Sequence, residues 1–228
     1  MQLDRLLQSQ GFGSRRQCRA LVFSGRVSVR GVAAEDPSAA IAPEDLVFAV
    51  DGETWRYTEY ATLMLHKPAG YECSRAPQHH ASVLELLPVP LRARGVQPVG
   101  RLDQDTTGLL LLTDDGALNH RLSSPRHAVP KTYLATLKHT ADGTLCERLL
   151  GGVQLHDEPA PIAALRCELL ADTTLRIVIC EGKYHQVKRM VAAAGNRVEA
   201  LHREAVGDLV LPPDLAPGQW RWLHGVPG

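Results

Sequence analysis

Two acidic residues separated by one position stand in a polar loop that leads directly into an apolar segment. Asp103 and Asp105 belong to the loop, and the apolar segment that follows is Leu109–Leu112. Carboxylates at the end of a buried strand can serve as acids, bases or nucleophiles, because burial and neighbouring charges change their pKa. We expect only one of them to face a pocket.

Tyr133 is a second candidate, in a segment with the alternation of a half-buried strand. Tyr133, Ala135 and Leu137 share one face of the strand predicted over residues 131–137. An inward-facing tyrosine usually belongs to the core, with its hydroxyl hydrogen-bonded. In an enzyme that handles nucleobases the same ring could stack on a uracil. The residues alone do not separate these two roles.

Lys188 and Arg189 are cations at the start of a predicted helix. The apolar stripe of this helix and the glycine that ends it are Val187, Met190, Val191, Ala194 and Gly195. Positive charges at a helix N-terminus oppose the helix dipole at a cost of roughly a few tenths of a kcal/mol. An Asp carboxylate or a phosphate held there would compensate for this cost. Two solvated charges explain the pattern equally well.

Other site chemistries fit the sequence poorly. Asp105-Thr106-Thr107-Gly108 is similar to the catalytic turn of an aspartic protease, but an extra threonine breaks the spacing and no second copy exists. His185 and His202 do not have the spacing of metal ligands. The five cysteines form no Cys-x-x-Cys pair, which argues against a zinc site or a disulfide framework. The sequence predicts no metal.

The composition of the 228-residue chain is that of a folded globular protein. Hydrophobic residues make up 44% and charged residues 22%, which argues against wholesale disorder. The longest apolar runs are far shorter than the ~20 residues that span a bilayer, and the N-terminus has no signal-peptide pattern. We expect a cytoplasmic protein with reduced thiols that does not bind membranes. We also expect a monomer, because no coiled-coil pattern or large apolar surface stripe is present.

The formal net charge is zero, yet the charges are segregated along the chain. Residues 1–31 contain six arginines against Asp4 alone, a local charge of +5, and residues 32–58 carry a local charge of −5. A phosphate backbone responds to the local electrostatic field of such a segment more than to the net charge of the whole chain. A solvated arginine surface on a small domain is an equally good interpretation, because phosphate contacts leave no unique sequence signature.

The predicted elements divide the chain into two parts. Leu3, Leu6 and Leu7 indicate a short helix, and Ser14 is a suitable N-cap for a second helix that carries Arg15, Arg16 and Arg19. Short strands follow, and residues 51–61 are predicted to be a linker anchored by Trp55 and Tyr57. Beyond them, short strand patterns dominate with a few helices between. We predict an α+β fold, with a small N-terminal domain and linker over residues 1–58 and a mixed, largely antiparallel sheet domain over 59–228.

The motif Gly-Arg-Leu-Asp-x-Asp-Thr-x-Gly at 100–108 is highly specific. Together with residues 65–74, 131–133 and 181–190, it resembles the motifs of pseudouridine synthases of the small-subunit ribosomal RNA type. The beginning of the chain resembles the S4-type RNA-binding domain that precedes the catalytic domain in that family, at residues 3–7, 14–16 and 25–29. The resemblance covers nearly the whole chain in order.

The resemblance implies that a uridine of 16S ribosomal RNA is isomerised to pseudouridine. It implies that Asp103 is the catalytic carboxylate, that Tyr133 stacks on the flipped-out base, and that Lys188 pairs with Asp103. Many relatives have arginine at the position of Lys188, so Arg189 stays an alternative partner for Asp103. No cofactor is implied, because the reaction adds and removes no atoms. Three further segments favour uridine 516 of the RNA as the target: 124–127, 152–156 and 201–204.

RNA contacts are implied for cations in both domains. They are Arg15, Arg16 and Arg19 in the S4-like domain, and Lys67, Arg101 and Arg189 in the catalytic domain. An ion pair with Asp105 is the alternative for Arg101. The implied partner is 16S ribosomal RNA, either free or in an assembling small-subunit particle. The alternative function is that of a ribosome-assembly factor that binds RNA on the same fold without catalysis.

Overall fold

A computed structural model describes residues 1–223 of the chain. The chain divides into two compact units, one formed by residues 1–61 and 87–97, the other by residues 62–86 and the described residues from 98 onward. The sequence suggests a single division between residues 58 and 59. The residues of segment 87–97 do not themselves indicate that this segment belongs to the first unit, because its position depends on hydrogen bonds to residues far away in the sequence. Arg94 donates to Gln10 Oε1 at 2.8 Å and to Thr58 Oγ1 at 3.2 Å.

The first unit packs three helices with one antiparallel sheet. The helices are α1 (Leu3–Ser9), α2 (Arg15–Phe23) and α3 (Val89–Ala93). The strands are β1 (Val27–Val29), β2 (Val32–Ala33), β3 (Val47–Val50) and β4 (Glu53–Arg56), in the order β2-β1-β3-β4. The predicted N-cap of α2 is confirmed: the Ser14 hydroxyl accepts from Gln17 N, and the Gln17 side chain accepts from Ser14 N in a capping box.

The predicted linker over residues 51–61 is wrong for its first half. Residues 53–56 form β4, which pairs with β3 in a hairpin that places Trp55 opposite Phe48. The Trp55 ring is buried and packs edge-to-face on Phe12, with the ring centroids 5.3 Å apart. Four residues with one apolar side chain are too short to show strand alternation, so the sequence pattern could not reveal this strand.

The second unit is built on a large mixed sheet. Its strands are β5 (Thr62–Lys67), β6 (Gln97–Pro98, at the junction of the units), β7 (Thr107–Thr113), β8 (Lys131–Leu137), β9 (Arg166–Ala171), β10 (Thr174–Ile179), β11 (Val198–Val206), β12 (Leu209–Val210) and β13 (Trp220–Trp222). The order is β13-β5-β7-β11-β8-β10-β9, antiparallel throughout except between β7 and β11. The predicted α+β class with a largely antiparallel sheet is therefore confirmed.

Three α-helices and two 3₁₀ helices complete the second unit. The α-helices are α4 (Gly116–Ser123), α5 (Gly143–Gly151) and α6 (Gln186–Ala193), and the 3₁₀ helices are Val83–Leu86 and Pro125–His127. Asp115 caps α4, since its side chain accepts from the backbone of Ala117 and Leu118. The predicted apolar stripe of α6 is buried along its whole length. This packing fixes which face of α6 is left for its cations.

Gly108 marks the point where the polar loop enters the sheet. It lies in β7 opposite Arg203 of β11, in the parallel pairing of these two strands. A Cβ at this position would lie 2.3 Å from the carbonyl oxygen of Arg203, and the φ of Gly108 is +108°. Only glycine permits this backbone approach and this conformation. From Gly108 onward β7 is buried at every residue, which is typical of a strand covered on both faces.

Candidate active site

Asp103 lies in a tight turn just before the start of β7 and lines a pocket. The turn is closed by a hydrogen bond from Thr106 N to the carbonyl oxygen of Asp103, 3.1 Å long. The carboxylate is 28% exposed, so it is accessible yet partly shielded. The pocket walls also include Arg101 and Thr106 from this loop, Tyr133 from β8, and residues 182, 183 and 185–187 at the start of α6. Elements separated by some 80 residues therefore meet at one carboxylate.

One ammonium group serves both acids of the loop. Lys188 Nζ lies 3.2 Å from Asp103 Oδ2, and 2.7 and 2.9 Å from the two carboxylate oxygens of Asp105. The loop forms a turn in which both acids face Lys188. Only Asp103 lines the pocket, as expected for one of the two acids.

The shared ion pair changes the acid–base properties of its members. Burial lowers the pKa of Lys188, but the hydrogen bond to Asp105 and the charge of Asp103 outweigh it and raise this pKa. Burial acts to raise the pKa of Asp105, but the hydrogen bond and charge of Lys188 outweigh it and lower that pKa. The cluster thus favours a charged Lys188 and a charged Asp105 at neutral pH.

His185 is a neighbour of Asp103 whose role sequence reasoning missed. Its Nε2 lies 3.5 Å from Asp103 Oδ1, on the opposite oxygen from the one that faces Lys188. The residue is the N-cap of α6 and has a left-handed backbone, with φ 47° and ψ 34°. Non-glycine residues adopt this conformation at a cost of roughly 1–3 kcal/mol, and such residues cluster at functional sites. The only available signal was that His185 stands three positions before Lys188.

Lys67 does not present its charge to solvent. The side chain is completely buried at the end of β5, and its ammonium group donates to the carbonyl oxygens of Pro68, Gln104 and Thr106 at 3.0, 3.1 and 2.8 Å. This burial contradicts the prediction that Lys67 contacts RNA. Burial also lowers the pKa of Lys67, although the charges of Cys73, Asp105 and Asp103 partly oppose that shift. Lys67 instead ties the loop that carries Asp103 to the neighbouring strand.

Arg101 and Arg189 have different surroundings. Arg101 is exposed at the pocket, and no hydrogen bond or ion pair joins its side chain to another residue within 1–223. The alternative of an Arg101–Asp105 ion pair is wrong, because Lys188 takes both oxygens of Asp105. Arg189 pairs with Asp157 and donates to the Tyr184 carbonyl oxygen at 3.1 Å. Lys188, and not Arg189, is therefore the cation beside Asp103.

Tyr133 forms part of the pocket wall. It lies in β8, its side chain is buried, and its strand neighbours in register are Ile177 of β10 and Arg203 of β11. The ring thus has a fixed position on a central strand while one part of it borders the pocket. This placement is compatible with contact to a planar group held beside Asp103.

In the first unit, two of the three α2 arginines are engaged with a buried acid. Arg15 Nε and Arg19 Nη1 lie 2.9 and 3.1 Å from Asp4 Oδ2. Burial acts to raise the pKa of Asp4, but these hydrogen bonds outweigh it and lower the pKa. Arg16 is exposed, and no ion pair joins it to another of the described residues. The three arginines are therefore not equivalent surface charges.

Within residues 1–223, no group of three or more His, Cys, Asp and Glu side chains is placed to bind a metal ion. No helix in this range combines the length and apolar character needed to cross a bilayer.

Comparison with protein families matches two models. Residues 1–47 match the S4 domain, and residues 61–193 match the RNA pseudouridylate synthase model. The chain is 42% identical over 224 residues to the ribosomal small subunit pseudouridine synthase A of Escherichia coli strain K12, covering 98% of this chain and 96% of the relative. It is 40% identical over 223 residues to the Yersinia pestis protein of the same name, covering 98% and 94%.

A relative from another organism and a solved structure also match over nearly the whole chain. An uncharacterised RNA pseudouridine synthase of Bacillus subtilis strain 168, YtzG, is 40% identical over 228 residues, covering 98% of this chain and 95% of the relative. A crystal structure described as a pseudouridylate synthase matches with a TM-score of 0.68 and 36% identity, over 98% of this chain and 96% of that one. The likeness therefore includes both units.

Proposed function

This chain belongs to the RNA pseudouridylate synthase family, and we propose that it converts a uridine of 16S ribosomal RNA to pseudouridine with Asp103 as the catalytic carboxylate. The observation that carries the proposal is the position of Asp103 in the pocket, between the Lys188 ammonium and the His185 ring. The names of the relatives support the small ribosomal subunit as the source of the RNA.

The reaction needs a shielded carboxylate and a pocket for a loose base. The bond between uracil N1 and ribose C1′ breaks, the base turns, and C5 bonds to C1′ while its proton is lost and N1 gains one. No atom is gained or lost overall. Asp103 faces the sugar or the base of a nucleotide that has left its stack, and Tyr133 borders the space for the ring. Lys188 pairs with the carboxylate and orients it, and the walls limit the access of water.

Arg101 is the cation best placed to contact the RNA near the target. It is exposed at the pocket and has no acidic partner among the described residues. A guanidinium group in this position can hold a phosphate next to the extruded nucleotide. For the exact nucleotide, the motif segments 124–127, 152–156 and 201–204 support uridine 516 of the RNA.

The decisive experiment compares the unaltered protein with Asp103→Asn on 16S RNA. Pseudouridine is mapped by carbodiimide-dependent stops in reverse transcription, and RNA binding is measured in parallel. We expect a stop at uridine 516 with the unaltered protein, and no stop with Asp103→Asn although that variant still binds the RNA. Because Asn has the same shape but no charge, this result isolates the carboxylate.

The other outcomes are equally informative. Formation of pseudouridine by a clean preparation of Asp103→Asn would show that Asp103 is not the catalytic carboxylate. RNA binding by the unaltered protein without any stop, on both naked RNA and assembling particles, would favour the non-catalytic assembly factor. A stop at a different uridine would keep the activity and correct its target.

A further inference from the structure

Tyr184 presents an aromatic ring to solvent beside the candidate active site. Its side chain is 71% exposed, the highest value among the large apolar and aromatic residues described in the second unit. A single exposed apolar side chain needs no special explanation. The ring of Tyr184 is different because one of its two faces is already in a stack.

The covered face packs on His185, which lines the pocket. The two ring centroids are 3.8 Å apart and the ring planes differ by 18°. The edge of His185 in turn faces Asp103, with Nε2 3.5 Å from Oδ1. The His185 ring therefore lies between Tyr184 and the candidate catalytic carboxylate. The outer face of the Tyr184 ring is left open for a further stacked ring.

The backbone that carries Tyr184 is held by several contacts. Arg189 Nη1 donates to the Tyr184 carbonyl oxygen at 3.1 Å, and Arg189 is itself paired with Asp157. On the preceding residue, Lys183 N donates to Gln186 Oε1 at 3.0 Å. A fixed backbone and a stacked ring reduce the entropy lost when a ligand binds the free face. The geometry is that of a preorganised platform.

An unpaired base fits the open face better than an apolar protein segment does. A target nucleotide that has left its stack deprives its neighbours of a stacking partner. Aromatic side chains replace such partners in proteins that bind single-stranded nucleic acid, and they tolerate any base. Arg101, exposed at the same pocket, supplies a cation for the connecting phosphate.

We propose that the outer face of Tyr184 is a stacking site for the RNA base next to the target uridine. This inference rests on the proposed function, because the pocket beside His185 must be the one that takes the target. It extends that function by adding a contact to a second nucleotide. The site would favour RNA in which at least one neighbour of the target is unpaired.

The test measures how Tyr184 and each flanking base depend on one another for RNA binding. The protein and its Tyr184→Ala and Tyr184→Phe variants bind a 16S fragment containing the proposed target at fixed salt. Loss of one base stack weakens binding about tenfold, so we expect this loss in Tyr184→Ala and little change in Tyr184→Phe. Leu170→Ala, which removes another exposed apolar side chain in the same unit, is the matched control.

Fragments with an abasic residue on the 5′ or the 3′ side of the target locate the base. One of the two should weaken binding of the unaltered protein about tenfold but add little further loss in Tyr184→Ala. Equal affinity of Tyr184→Ala and the unaltered protein would overturn the proposal. The proposal would also fail if, with both abasic fragments, the affinity losses from Tyr184→Ala and from the abasic residue multiplied. A lower kcat at unchanged affinity would likewise overturn it, because Tyr184 would then only support His185.

The subsite and the proposed function fail in different measurements. The subsite is judged on RNA affinity, which requires no turnover. Absence of pseudouridine with the unaltered protein and this fragment would count against the proposed function. Thermal unfolding of each variant checks that the exposed ring was removed without loss of fold.

Discussion

The sharing of one ammonium by two carboxylates is the central feature at the scale of single residues. Asp105 takes the shorter contacts to Lys188, and Asp103 takes the longer one on the pocket side. Two carboxylates this close to one cation would repel each other without it. Lys188 therefore offsets the repulsion between the two acids, and its unbranched point charge can serve both at once where a planar guanidinium fork would prefer one.

Replacing Lys188 tests this arrangement. Lys188→Gln removes the cation, and we expect kcat to fall about 100-fold, since a charge-assisted bond to a partly buried acid is lost. Lys188→Arg should retain more activity than Lys188→Gln because it keeps the charge. Single-turnover kinetics and RNA affinity are measured together, and Asp105→Asn shows how much of the effect belongs to the second acid. Equal activity of Lys188→Gln and the unaltered protein would contradict the role given to Lys188.

The direction of the Lys188 pKa shift sets a pH dependence. Because this pKa is raised in the folded protein, the stabilising ion pair is fully present below the unfolded value of about 10.4 and is lost only as pH rises through the higher folded value. We therefore expect the unfolding temperature of the unaltered protein and of Lys188→Gln to differ by a constant amount from pH 7 to pH 9. A difference that shrinks over this range would contradict a charged Lys188.

At the scale of elements, the end of β5 and the loop before β7 are joined by one buried side chain. The Lys67 ammonium satisfies three carbonyl oxygens, two of which belong to the loop between Asp103 and Gly108. Backbone carbonyl groups in a buried turn need such partners. The position of Asp103 thus depends on a lysine from the neighbouring strand.

Lys67→Met keeps the volume of the side chain and removes its donors. We expect the free energy of unfolding to fall by about 2–4 kcal/mol, because three carbonyl groups lose their partner. In the protein that remains folded, kcat should fall while RNA affinity stays near that of the unaltered protein. Denaturant unfolding and RNA titration separate these effects. A specific loss of RNA affinity in a stable Lys67→Met protein would indicate that Lys67 contacts RNA despite its burial.

The elements with regular spacing could be predicted from sequence, and the contacts across elements could not. The stripe of α6, the alternation of β8 and the Ser14 cap of α2 are local patterns, and each is present in the structure. The burial of Lys67 and the partner of Arg189 depend on residues more than 30 positions away. His185 was missed for the same reason, since nothing beside it in the sequence indicates that it faces Asp103.

At the scale of the whole molecule, a net charge of zero conceals a strongly basic segment at the N-terminus. Residues 1–31 carry a local charge of +5. The structure divides these arginines by partner: Arg15 and Arg19 pair with the buried Asp4, whereas Arg16 has no ion pair among the described residues. Only an arginine without an acidic partner can bind an RNA phosphate and release counterions at no cost to the fold. The S4-like unit therefore has fewer free charges than the sequence count suggests.

Charge reversal at Arg16 and at Arg15 should have separable effects. Each lost phosphate contact reduces the slope of log affinity against log salt by about 0.7–0.9, so Arg16→Glu should weaken and flatten RNA binding without changing thermal unfolding. Arg15→Glu places a second carboxylate beside buried Asp4 and should also lower the free energy of unfolding by about 1–3 kcal/mol. Binding is titrated over a range of salt concentrations alongside thermal melts. An unchanged salt slope in Arg16→Glu would mean that α2 does not face the RNA backbone.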